Sequence, residues 1–120
     1  MKGKVLIIDD EFELCMLLKL HLTAKEYEVE MAYNLKDGLT KLDSYDPDII
    51  FLDNGLPDGK GWEIAARIIY EHPAVKINLI SGEVNQHLPD EMGNNLYLME
   101  KPLSRHEIDD YLNYISEGKV

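Results

Sequence analysis

The side chains that could do chemistry together in this 120-residue chain are the acid pair Asp9-Asp10, then Asp53, Ser81 and Lys101. Each follows a short apolar run: Val5-Leu6-Ile7-Ile8 before Asp9, Ile49-Ile50-Phe51-Leu52 before Asp53, Val75 to Ile80 before Ser81, and Leu96 to Met99 just before Lys101. Singly, each has an ordinary reading. Asp9, Asp10 and Glu11 suit the positive N-terminal end of a helix. Asp53 and Ser81 are common turn formers, and Lys101 is an unremarkable surface lysine. Together they are three carboxylates, a hydroxyl and an amine. Clustered acids repel one another and invite a hard cation, and an all-oxygen set with open positions suits Mg2+. A lysine is a point charge fitted to a phosphoryl oxygen, and a serine hydroxyl adds a second contact. His21, His72, His87 and His106 fall in helices or loops away from these strand ends and read as surface, so no imidazole general base stands among them. The set supports phosphoryl transfer onto a carboxylate, which depends mainly on positioning and charge neutralisation.

Such residues meet only if the runs that carry them lie side by side and point the same way. The apolar run 4–8 reads as a buried strand, and Leu14, Leu17, Leu18 and Leu22 recur at helical spacing to about Lys25. Residues 27–33 alternate apolar and acidic, as a half-exposed edge strand does. Asn34 with Asp37 reads as an N-cap opening a helix to about Ser44, with Leu35, Leu39 and Leu42 inward. The run 48–53 is a strand buried on both faces, broken at once by Gly55, Pro57 and Gly59. Trp62, Ile64, Ala65, Ile68 and Ile69 mark a helix that Pro73 stops, and 75–80 is the next strand. Pro89 and Gly93 interrupt 83–95, which predicts a short or irregular fourth helix. A strand over 96–99 follows, and Ser104 with Glu107 forms a capping box before Ile108, Tyr111, Leu112 and Ile115. Strand and helix alternate five times without linker or repeat. The simplest fold is one α/β domain over 1–120, a doubly wound five-stranded parallel sheet with helices on both faces. All its strands deliver their carboxyl ends to one edge, where open α/β sheets build their sites.

Composition narrows the partners. Twelve basic against 23 acidic residues give a net charge of −11, which repels phosphate backbones and argues against direct nucleic-acid binding. No apolar stretch is long enough for a membrane span, and no N-terminal signal is visible. The single cysteine, Cys15, reads as a small core residue and fits a reducing cytoplasm.

In order along the chain, Leu6-Ile7-Ile8-Asp9-Asp10-Glu11, Leu52-Asp53-Asn54-Gly55-Leu56-Pro57-Asp58-Gly59-Lys60-Gly61, Ile80-Ser81-Gly82 and Lys101-Pro102 resemble the marks of a response regulator receiver domain. The resemblance is to two-component systems, similar to the single-domain chemotaxis type, and it spans essentially the whole chain. It implies a flavodoxin-like strand order of 2-1-3-4-5. It implies that Asp53 accepts a phosphoryl group from a phosphohistidine of a sensor histidine kinase or phosphotransfer protein, or from a small phosphodonor. Asp10 would bind Mg2+ directly, Asp9 through a water, with Asp53 and the Gly55 carbonyl as further ligands. Ser81 would contact a phosphoryl oxygen, Lys101 would pair with Asp53 and then with the phosphoryl group, and Gly82 would keep the site open. The Lys101–Pro102 peptide would be cis. Such a domain catalyses its own phosphorylation and dephosphorylation rather than acting as a conventional enzyme. It signals by a conformational switch to a downstream protein that the sequence does not name.

Three departures stand out. Lys60 occupies a loop position where the family carries Asp or Asn, which changes only the turn. Leu98 stands three residues before Lys101, where an aromatic switch residue is usual, with Tyr97 one earlier. Either the strand slips or bulges by one residue, or the switch works without an aromatic ring. Ser81 and Lys101 are also closely spaced, so the usual signalling and dimerising face, built by the fourth helix, last strand and last helix, is unusual, and a homodimer stays open. Two alternatives remain. One is an interaction module that keeps the fold without the phosphorylation. The other is an aspartyl-phosphate phosphohydrolase, disfavoured because Gly55 stands where those enzymes place a second acid.

Overall fold

The computed structural model describes residues 2–82 and 95–116. Its elements in order are β1 (Gly3–Ile8), α1 (Phe12–Ala24), β2 (Tyr27–Ala32), α2 (Leu35–Tyr45), β3 (Ile49–Asp53), β4 (Gly55–Leu56), β5 (Gly59–Lys60), α3 (Gly61–Glu71), β6 (Lys76–Ser81), β7 (Leu96–Glu100) and α4 (Arg105–Ser116). Five parallel strands form one sheet in the order β2-β1-β3-β6-β7. In strand sequence, leaving aside a small ribbon, this is the expected 2-1-3-4-5, with β2 at an edge. Of the expected short or irregular helix within 83–95, all but Asn95 lies outside the described residues.

Side-chain alternation along each strand builds two cores from one sheet. Val5, Ile7, Ile49, Phe51 and Ile80 face α1 and α4, packing with Cys15, Leu18, Leu22, Ile108, Tyr111 and Leu112. Leu6, Ile8, Ile50, Leu52, Ile77 and Leu79 face α2 and α3, packing with Leu35, Leu42, Ala65 and Ile68. This two-sided burial is why β1 and β3 read as unbroken apolar runs. On α1 the buried stripe is Cys15, Leu18 and Leu22; Leu17, expected inward, is 69% exposed. Leu17 sits one residue, or about 100° of helix, from Leu18 and so turns away from the sheet. His21, expected at the surface, is largely covered and its ring lies 2.8 Å from Asp109 Oδ1 across the α1–α4 junction.

The helix starts use the local chemistry their sequences offer. Asn34 Oδ1 accepts the Asp37 N–H at 2.7 Å, and Ser104 Oγ accepts the Glu107 N–H at 3.1 Å. In the second case the Glu107 carboxylate returns to the Ser104 hydroxyl, so the box is closed between side chains.

The last strand neither slips nor bulges. Its register on β6 runs unbroken from Ile77↔Leu96 to Ser81↔Glu100. Tyr97 and Met99 therefore face α4, where the Tyr97 ring lies 5.1 Å from that of Tyr111. Leu98 points to the opposite face.

Candidate functional site

The parallel sheet brings the carboxyl ends of β1, β3, β6 and β7 to one edge. Asp9 and Asp10 directly follow β1, Asp53 is the last residue of β3, Ser81 the last of β6, and Lys101 directly follows β7. The Lys101 ammonium is the centre of the group. Its Nζ lies 3.3 Å from Asp9 Oδ2, 3.4 Å from Asp53 Oδ1 and 3.4 Å from Glu11 Oε1. Glu11, which the sequence places only at the helix end, thus joins the charge cluster. The Lys101 N–H donates to the Ser81 carbonyl at 2.9 Å, which fixes where the lysine leaves the sheet. The Lys101–Pro102 peptide is cis, as the resemblance implies. Ser81 borders this cluster through that bond and through Ile80, which pairs with Asp53 in the sheet.

Asp9 is fully buried and Asp53 is 4% exposed, whereas Asp10 is open to solvent. Each of the three offers one carboxylate oxygen, and these oxygens lie within 4.8 Å of one another. Burial pushes the Asp9 carboxyl up to about 6; the Glu11 N–H bond opposes this, the Asp53 charge adds to it and Lys101 counters it. Burial alone would depress Lys101, but the carboxylates of Asp9, Asp53 and Glu11 outweigh it and hold the ammonium above its ordinary value. One amine thus answers three acids, and negative charge is left over.

The donors fit a hard divalent cation. All are oxygens, they are close enough to share one ion, and one is short of partners. Among the described residues, buried Asp9 Oδ2 has the Lys101 ammonium, at 3.3 Å, as its one polar partner and room for another. A buried carboxylate oxygen in that state is costly, and an added cation relieves it. The approach is also open. Among the described residues, a Cβ built on Gly55 or Gly82 would meet nothing within 4 Å.

Two residues that sequence reasoning passed over hold Asp53 in place. Asn54 is buried; its N–H donates to the Ile80 carbonyl at 2.8 Å, and its Oδ1 accepts the Trp62 N–H at 2.9 Å, so it ties β3 to β6 and to the start of α3. Gly61 comes so close to the strand that an added Cβ would stand 2.6 Å from the Asp53 carbonyl oxygen. Neither has a local signal, because each partner is seven or more residues away or in another strand. The Gly/Pro loop after Asp53 is also more ordered than a plain turn. Gly55–Leu56 and Gly59–Lys60 pair as a two-stranded antiparallel ribbon, β4–β5.

The family model described as the response regulator receiver domain matches residues 5–113. Among solved structures, a response regulator receiver domain protein (CheY-like) from Methanospirillum hungatei JF-1 is similar at a TM-score of 0.83 and 23% identity, over 96% of this chain and 94% of that one. The response regulator protein TrrA from Thermotoga maritima, solved in complex with Mg2+-BeF, is similar at a TM-score of 0.80 and 26% identity, over 92% and 96%. NtrX from Brucella abortus matches 98% of this chain at a TM-score of 0.82 and 22% identity, but the match spans only 28% of NtrX.

Proposed function

Since this chain belongs to the response regulator receiver domain family, we propose that it is a phosphoaccepting signalling switch with Asp53 as its nucleophile. What supports the reading above all is one contact set: a buried Asp53 whose Oδ1 lies 3.4 Å from Lys101 Nζ, beside two further acids. An Asp53 carboxylate oxygen forms the new O–P bond as the P–N bond to a donor imidazole breaks, and the imidazole leaves with the bonding pair. Mg2+ held by Asp10, Asp53 and the Gly55 carbonyl, and through a water by Asp9, would supply charge neutralisation and orientation of the phosphoryl oxygens. Lys101 offsets the charge of Asp53 before transfer and of the phosphoryl group after it. Ser81, at the end of β6, contacts a phosphoryl oxygen once the group is in place.

The donor is a sensor histidine kinase or a phosphotransfer protein, and the setting is the cytoplasm, where such partners work. Among the described residues no helix is long and apolar enough to cross a membrane. The switch runs without an aromatic ring at its usual place: Leu98 holds that position, and Tyr97 is committed to the other face of the sheet against Tyr111.

Incubation with Mg2+ and acetyl phosphate tests the reading. The intact mass should rise by one phosphoryl group, and Asp53→Asn should abolish the gain. An unmodified wild-type chain would sink the proposal and leave an interaction module in its place.

A further inference from the structure

The ribbon that follows Asp53 is anchored at both ends, and its tip anchor lies on a different helix from its base. At the base, Asn54 joins it to β6 and α3. At the tip, Asp58 reaches across to the first turn of α2: its Oδ1 accepts the Leu35 N–H at 2.8 Å and its Oδ2 the Lys36 N–H at 3.0 Å. These amides have no intrahelical partner, being among the first four of the helix. The two bonds hold the Asp58 carboxyl below its ordinary value. Two apolar contacts reinforce the docking. Leu56 is buried in the same cluster as Leu35, and Gly59 lies so close that a Cβ there would stand 2.8 Å from Leu35 Cδ1. Gly59 also has φ +155°, which strains any other residue. Between base and tip lies Gly55, solvent-exposed and unsupported by packing, whose N–H donates to Asp53 Oδ1 at 3.2 Å.

We propose that Asp58 is a positioning residue for the Asp53 carboxylate: by clamping the ribbon onto α2 it fixes the Gly55 N–H on Asp53, and it couples occupancy of the acidic site to order in the first turn of α2. The inference rests on the reading of Asp53 as part of a Mg2+ site. The coupling is reciprocal, as equilibrium linkage requires. An ion that holds Asp53 steadies the ribbon and hence the Leu35 and Lys36 amides, while loosening the clamp weakens the ion. Asn34 supplies the control. It caps the same helix, and its side-chain hydrogen bonds, both to Asp37, stay within that helix.

The experiment titrates Mg2+ into the full chain, following the fluorescence of Trp62, the single tryptophan, whose amide is bonded to Asn54. Amide exchange at Leu35 and Lys36 is measured in parallel. Loss of a group that orients a metal ligand typically weakens metal binding by about 10-fold or more. Asp58→Ala should weaken Mg2+ by about 10-fold and abolish the Mg2+-dependent slowing of exchange at both amides. Asp58→Asn keeps one acceptor oxygen and should recover part of the affinity, and it covers the case in which Asp58→Ala folds poorly. Asn34→Ala loosens the same turn but leaves the Asp58 bonds in place, so it should lower the melting temperature and weaken Mg2+ clearly less than Asp58→Ala does. Equal affinity in wild type and Asp58→Ala, or an equal loss in Asn34→Ala, would overturn the clamp alone. A wild-type chain with no Mg2+ affinity would overturn the metal reading and the clamp together.

Discussion

Replacing Asp9 by asparagine should make the metal-free protein more stable, and only above a particular pH. Asp9 is fully buried, and its carboxyl is pushed from 3.8 up to about 6, chiefly by burial. Between those values the folded chain holds a proton that the unfolded chain has released, so stability falls as pH rises through that window. A shift of about 2 units corresponds to about 3 kcal/mol, the cost of carrying an ionised Asp9 in the fold at neutral pH. Asparagine removes the charge and keeps an acceptor for the Glu11 N–H, which Asp9 Oδ1 now takes at 2.9 Å. The attraction to Lys101 at 3.3 Å is already contained in that shift; what offsets part of the gain is the new amide NH2, buried beside the same ammonium, which keeps Asp53 and Glu11. The net gain should be about 1–2 kcal/mol near pH 7.5, or about 4–8 °C in melting temperature. The assay is thermal and urea denaturation in EDTA, from pH 4 to 8. The two proteins should converge towards pH 4 and separate through pH 6. Mg2+ should shrink the gap by stabilising the wild type more than the variant, which keeps Asp10 and Asp53 but loses the Asp9 charge. Asp58 and Asp109 do not confuse this window. Their carboxyls are held below 3.8, so what they contribute is present above that value and is lost only as pH falls below it. A variant less stable than wild type at pH 7.5 without metal, or a gap of equal size at pH 4 and pH 8, would refute the reasoning.

Lys101→Met should leave Asp9, Asp53 and Glu11 without their shared cation, raising the Asp9 pKa further; an NMR titration of its carboxyl carbon reads this, and an unchanged midpoint would contradict the assigned contacts. Gly61→Ala should cost about 1–3 kcal/mol in urea unfolding, because its Cβ would stand 2.6 Å from the Asp53 carbonyl oxygen; wild-type stability would mean that the approach is looser. Asn78 is fully buried in β6; among the described residues its Oδ1 is unpaired and its amide nitrogen lies 3.8 Å from the Met99 sulfur. Asn78→Leu should therefore raise stability by about 1–2 kcal/mol, and a loss of that size would show that a partner for the amide had been missed.

Sequence alone determined the strand runs, their common direction and the residues at their ends, because those are local facts. An apolar run of β-branched residues is a buried strand wherever it sits, and a parallel sheet must gather its carboxyl ends at one edge. Hence Asp9, Asp10, Asp53, Ser81 and Lys101 could be named together, and element bounds such as Tyr27–Ala32 or Leu35–Tyr45 lie within about a residue of their sequence signals. What the sequence left open were relations between distant residues. Tyr97 or Leu98 could have faced the signalling side, and only the unbroken register of β7 on β6 assigned Tyr97 to α4. Leu17 and Leu18 are equally apolar, and only the position of the sheet decided which one is buried. Asp58 carries no role in the local pattern and is a cap on a helix more than twenty residues earlier. Tertiary structure likewise decided that Glu11 shares Lys101 and that Asn54 braces Asp53. Side-chain type and spacing fix what a residue can do locally, whereas burial and long-range hydrogen bonds exist only once the chain has closed on itself.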